Sequence, residues 1–181
     1  MEKTNATERE HLTLRRLTTT AADLAAVQQV LEGCPSYYLL EQGQLAAPGA
    51  ALALMNECPP DRSTSDKAFW GIYVRNEIAG YAEILRGYPN ETTMYLGLLI
   101  LMESYQHRGV GALAYTRIEE EVTSWEGAAT IRLAVLSTNP APGTFWERMG
   151  FHSTGEIRPY THNVVKTTCH MYEKAVRPAP K

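Results

Sequence analysis

Six residues near the middle of the chain, Gln106-His107-Arg108-Gly109-Val110-Gly111, have the types and spacing to hold phosphate groups. They follow an apolar strand-like run, Met94 to Met102, and open a helix-like run that reaches Trp125. The first amides of a helix have no acceptor within it, and the helix dipole places partial positive charge beside them. Gly109 and Gly111 carry no Cβ, so a diphosphate can approach the main chain closely. A second constellation lies downstream: Asn139, then Trp146-Glu147-Arg148, then Gly150-Phe151.

These residues need elements to place them. His11 to Leu17 alternates and fits a first strand, with Thr18-Thr19-Thr20 as a capping cluster before a helix from Ala21 to Leu31. Cys34-Pro35-Ser36-Tyr37-Tyr38 reads as a turn carrying two aromatics, and Gln44 to Cys58 as a second helix stopped by Pro59-Pro60. Lys67 to Arg75 and Ile78 to Leu85 are strand-like around a tight turn at Asn76-Glu77; Tyr88 to Glu91 then reverses the chain before Thr92 to Met102. From Gly109 to Trp125, Val110, Leu113, Ala114, Ile118 and Val122 recur at helical spacing, with Glu119 to Glu121 partly on a solvated face. Ala129 to Ser137 is a fifth strand, and the strand-helix-strand passage implies a parallel neighbour. Asn139 to Met149 reads as a shorter helix closed by Gly150, and Phe151 to Ile157 and Val164 to Val176 as a hairpin with its turn at Arg158 to Asn163. The expected fold is α/β with a mixed sheet. Antiparallel strands one to four lead into a parallel crossover through the third helix to the fifth strand, and a C-terminal β-hairpin follows.

At 181 residues and 44% hydrophobic, the chain suits a single domain over 11–176, with tails at 1–10 and 177–181. A net charge of -3 supplies no basic field for nucleic acid or an anionic membrane, which leaves a small soluble partner as the expectation. The longest apolar stretch, Leu96 to Met102, is strand-sized, far short of the roughly 18 residues of a membrane span. The polar first ten residues lack a secretory core. Cys34, Cys58 and Cys169 are odd in number and lack C-x-x-C spacing, so reduced thiols in a cytoplasm and no metal site are expected.

The element order, with a glycine turn after the fourth strand, resembles the GNAT superfamily of acyl-CoA-dependent N-acyltransferases from about Leu12 to Lys174. Gln106, Arg108, Gly109, Val110, Gly111 and Ala112 meet that family's Q/R-x-x-G-x-G/A motif. Asn139, Trp146, Glu147, Arg148, Gly150 and Phe151 meet its second motif of Asn, an aromatic and Glu-basic-x-Gly-Phe. The resemblance implies acetyl-CoA as cofactor, lying in a gap between splayed fourth and fifth strands. Backbone groups of Leu99, Ile100 and Leu101 would pair with its pantetheine arm, and the amides from His107 to Ala112, with Arg108, would hold its pyrophosphate. Asn139 would hydrogen-bond it from the far side of the gap, and Trp146 would contact the acyl chain. The acceptor would be an amine of a small molecule or a protein, with the Leu101 N–H steadying the carbonyl oxygen. Tyr37, Tyr38 and Tyr160 would line its site. Related enzymes are often dimers, so a homodimer is an open assembly.

This chain departs from the pattern at Trp146, where many members carry a thiolate-protonating Tyr; an indole N–H is too weak an acid for that role. Tyr95 and Glu83 become the candidates for moving protons. Ordinary roles stand beside these. Asn139 could cap the following helix, Trp146 could pack in the core, and Glu83 could be a satisfied carboxylate. His107 reads as an exposed side chain near phosphate, and Tyr160 and His162 as members of a solvated loop. A non-catalytic acyl-CoA-binding module is the main alternative function. A dinucleotide-binding oxidoreductase would need its glycine turn after the first strand.

Overall fold

The computed structural model describes residues 11–176. The expected tails, 1–10 and 177–181, lie outside the described residues. Seven strands form one mixed sheet in the order β1-β2-β3-β4-β5-β7-β6. They are β1 (Leu12–Leu17), β2 (Lys67–Val74), β3 (Glu77–Arg86), β4 (Thr93–Leu101), β5 (Thr130–Leu136), β6 (His152–His162) and β7 (Val165–Ala175). The first four are antiparallel neighbours, and β5 lies parallel to β4. Among the described residues the five α-helices are α1 (Ala21–Glu32), α2 (Pro35–Glu41), α3 (Ala50–Asn56), α4 (Val110–Thr123) and α5 (Ala141–Arg148).

Strand alternation divides the buried residues between two faces. On one, Tyr115, Ile118 and Val122 of α4 and Trp146 of α5 pack with Ile84, Met94, Leu96, Ile131 and Leu133. On the other, Val27 and Val30 of α1, Tyr38 of α2 and Met55 of α3 pack with Phe69, Tyr81 and Ile100. Thr20 caps α1 by accepting from the Asp23 N–H, as its capping cluster predicts.

Four local expectations are corrected. The segment read as an aromatic turn is the helix α2, with Pro35 in its first turn; the Glu103 carboxylate accepts from the Ser36 N–H at 3.0 Å in place of a capping side chain at Cys34. The helix expected over Gln44 to Cys58 shortens to α3, because Pro48 and the left-handed Gly49 (φ 77°) stop it from starting earlier. The β2–β3 turn falls one residue early, at Arg75-Asn76, both at positive φ as a tight hairpin turn requires. Finally, β6 continues through the expected loop to His162, and the hairpin turns at Asn163-Val164.

Candidate active site

The central opening is made by two strands that part. β4 and β5 are paired only at Thr93↔Thr130, Met94↔Ile131 and Tyr95↔Arg132, yet β4 runs on to Leu101 and β5 to Leu136. Past Tyr95 the two facing edges are no longer paired with each other. Register decides which groups those edges offer. The Met102 N–H donates to Ala79 O at 2.9 Å, and Gly80 stands opposite Leu101. By antiparallel alternation Ile100 exchanges its bonds with Tyr81, whereas Leu99 and Leu101 turn their backbone groups toward the gap. Of the three residues expected to pair with pantetheine, two therefore present main chain there, and Ile100 does not.

At its end β4 is held firmly. The Leu101 C=O accepts from Gln106 Nε2 at 2.8 Å and from Cys34 Sγ at 3.3 Å. Burial pushes the Cys34 thiol up to about 12, so it stays a donor. Gln106 thus fixes the strand end, and the Leu101 N–H stays directed at the gap.

The glycine turn follows directly. His107 (φ 58°) and Gly109 (φ 80°) are both left-handed, and Gly109 is the N-cap of α4 without any side-chain cap. The first intrahelical bond runs from the Leu113 N–H to Gly109 O, so the Val110, Gly111 and Ala112 amides have no helical acceptor. Arg108 is half-buried beside them, its Nη1 donating to Ser104 O at 3.1 Å and its guanidinium 5.7 Å from the Tyr105 ring centroid. His107 is exposed. A Cβ on Gly111 would lie 3.6 Å from Leu101 and 3.8 Å from Phe145, so this glycine sits where β4, α4 and α5 converge. Phe145, which sequence reasoning passed over, stands beside Gly111 with Leu101; its signal was its place beside Trp146 in the second motif.

Across the gap, Asn139 follows the end of β5, its N–H donating to Leu136 O at 2.9 Å. It does not cap α5, because Pro140 occupies the cap position, and its side chain makes no hydrogen bond to another described residue. Trp146 is a core residue, 7% exposed, with its ring 5.4 Å from Tyr115, 4.8 Å from Phe145 and 5.3 Å from Phe151.

The opposite face of the sheet carries the other expected residues. Glu83 enters a bulge where β4 has the extra residue Gly97, and a Cβ there would stand 3.2 Å from its carboxylate. Burial raises the Glu83 pKa against the opposing pull of Lys67, whose Nζ lies 3.0 Å away and also donates to the carbonyls of Leu54 and Glu57. Tyr95 is the last β4 residue paired with β5; its phenol is pushed up to about 12, first by burial and then by Cys169. Tyr38 turns into the core, with its hydroxyl 3.4 Å from that of buried Tyr81, rather than outward as a lining residue would. Tyr160 and His162 meet at Glu41, whose carboxylate accepts from Tyr160 OH and lies within hydrogen-bonding reach of His162 Nδ1, while Tyr37 stands one helical turn before Glu41 on α2. Sequence reasoning passed over Glu41, since its partners are more than a hundred positions away.

Among the described residues, no group of three or more His, Cys, Asp or Glu side chains could hold a metal, and no helix is long and apolar enough to cross a membrane. The family model described as the acetyltransferase (GNAT) family matches residues 33–151. No curated protein matches the sequence. Solved structures share the fold. An acetyltransferase from Thermus thermophilus is 23% identical at a TM-score of 0.69, covering 90% of this chain and 97% of its own. The Vibrio cholerae spermidine N-acetyltransferase, in complex with CoA and spermine, is 17% identical at 0.70, covering 92% and 96%. The Salmonella typhimurium enzyme that modifies the N-terminal serine of ribosomal protein L7/L12 is 15% identical at 0.71, also covering 92% and 96%. The family match spans well over half of the sequence and takes in both the glycine turn and the second motif: the chain belongs to the acetyltransferase (GNAT) family and is an acyltransferase.

Proposed function

We propose that this enzyme transfers the acetyl group of acetyl-CoA to an amine of a small molecule or of an exposed peptide. The observation that carries the cofactor is the gap past Tyr95, with Leu99 and Leu101 offering main chain along it and the uncapped first turn of α4 at its end. When bound, acetyl-CoA supplies an activated thioester. The backbone of Leu99 and Leu101 would orient the pantetheine arm. The Val110, Gly111 and Ala112 amides and Arg108 would neutralise the pyrophosphate, and Asn139 would hold the arm from the β5 side. The Leu101 N–H, with its carbonyl already committed to Gln106 and Cys34, would donate to the oxygen on which negative charge builds.

An alkyl ammonium has a pKa of ~10 and must shed a proton before it attacks. The carboxylates and phenols of the α2 side face that task. No strong acid is required in place of Trp146, because a thiol with a pKa of ~8.5 leaves readily as the thiolate. Both acceptor classes occur on this fold: the Vibrio neighbour is a spermidine enzyme, and the Salmonella neighbour modifies a protein N-terminus. Three free cysteines support a reduced, cytoplasmic setting. The reading admits a homodimer, which sedimentation would register as twice the chain mass.

Free-thiol release from acetyl-CoA across a panel of alkylamines and short peptides tests the proposal. Release should rise above the hydrolytic background with at least one amine and increase with pH. Acetylation of hydroxyl compounds alone would overturn the amine assignment, and CoA binding without any release would favour a binding module.

A further inference from the structure

Glu41 closes α2 with a carboxylate that is only 8% exposed. Its Oε1 is held from β6 by Tyr160 OH and His162 Nδ1, and Asn163 Nδ2 secures the neighbouring Gln42 at 3.0 Å. Among the described residues no donor reaches Oε2. Oε2 is not fully buried and remains open to solvent, so a cation that replaced water there would meet a carboxylate in poorly screening surroundings. The surroundings suit a cation as well. Tyr37 lies one helical turn before Glu41, and the phenols of Tyr37 and Tyr160 are both kept neutral, first by burial and then by the Glu41 charge. Neither phenol therefore adds a second negative charge beside Glu41. Glu83, the carboxylate that the sequence favours, differs in kind: Lys67 already supplies it with an ammonium at 3.0 Å.

Resting on the amine-acceptor reading above, we propose that Glu41 is the specificity-determining anchor of the acceptor site, receiving the acceptor's ammonium on Oε2 while Tyr160 and His162 hold Oε1. The chemical class it selects is a primary alkyl ammonium, carried on a small molecule or a peptide terminus. Glu41 joins elements that the chain keeps far apart, so it also fixes α2 against the β6–β7 hairpin. The test must separate anchoring from bracing.

The experiment compares wild type with Glu41→Gln on two acceptors of similar shape, an alkylamine that is charged near neutral pH and an alkoxyamine that is not. The amide keeps an oxygen for Tyr160 and removes the charge. Losing one charge-assisted hydrogen bond should raise the alkylamine KM about tenfold, leave the alkoxyamine KM within about twofold, and leave CoA affinity unchanged. If Glu41→Gln does not fold, Glu41→Asp keeps the charge but shortens its reach and should show the same selective loss. Equal losses on both acceptors would reduce Glu41 to a brace, and no loss on either would remove it from the site; both results overturn the proposal. A wild-type enzyme that binds CoA but turns over no amine would overturn the function itself, and this inference with it.

Discussion

The two halves of the proposed site are made differently. The cofactor half is main chain: two parted strand edges, a strand end pinned by Gln106 and Cys34, and three helix amides without acceptors. The acceptor half is side chain: Glu41 from α2, Tyr160 and His162 from β6, and the Lys67–Glu83 pair spanning β2 and β3. Backbone geometry asks of the sequence only glycines at a few positions and apolar residues elsewhere. Side-chain geometry can be rewritten one residue at a time. One fold can thus keep a cofactor while changing its acceptor.

Trp146 sits on the border between the halves and gives the largest expected effect. Replacing it with Ala should cost about 3–5 kcal/mol of stability, as a large aromatic lost from a four-ring cluster does, measured by urea unfolding. Trp146→Tyr should not raise kcat. A Trp146→Ala enzyme of normal stability but weakened CoA binding would move this residue from the core into the cofactor half.

Asn139 should behave in the opposite way. Because it caps nothing, Asn139→Ala should leave the melting temperature unchanged and weaken CoA binding about tenfold, the worth of one good hydrogen bond in a desolvated site. A drop in melting temperature without a change in affinity would make Asn139 structural.

The smallest effect concerns Glu83. Burial raises its pKa above the ordinary value of 4.5, so between the unfolded and folded values the native state binds the proton more strongly. The stability contributed by this group is therefore full below the unfolded pKa and is lost as pH rises through the folded one. Glu83→Gln removes that dependence. Relative to wild type, the variant should gain stability as pH rises through and above the ordinary carboxylate range, read as the pH trend of the difference in denaturant midpoint. A flat difference would mean that Lys67 fully offsets burial.

The same division explains what could be read from sequence. The glycine turn, the apolar β4 run and the second motif are local patterns, and the sheet order follows from them once β4 and β5 are joined by α4. Local signals failed where a distant partner or a single breaker decides. Pro48 and Gly49 shortened α3, and the expected loop at Arg158 to His162 became strand by pairing with β7. Tyr38 looked like a site residue until Tyr81 claimed it for the core. Glu41 gave no local signal, with its partners 119 and 121 positions along the chain. Ile100 and Leu101 are indistinguishable as apolar strand residues; only the register with β3 tells which one faces the gap.

The central claim, that the gap and the glycine turn together bind CoA, is tested most directly by calorimetric titration of CoA into wild type and Gly111→Leu. The added side chain would grow toward Leu101 and Phe145 and crowd the strand end beside the glycine turn. Loss of about two charge-assisted hydrogen bonds predicts affinity lower by roughly a hundredfold or more in a protein that still unfolds cooperatively. Equal affinity in the two proteins would contradict the account.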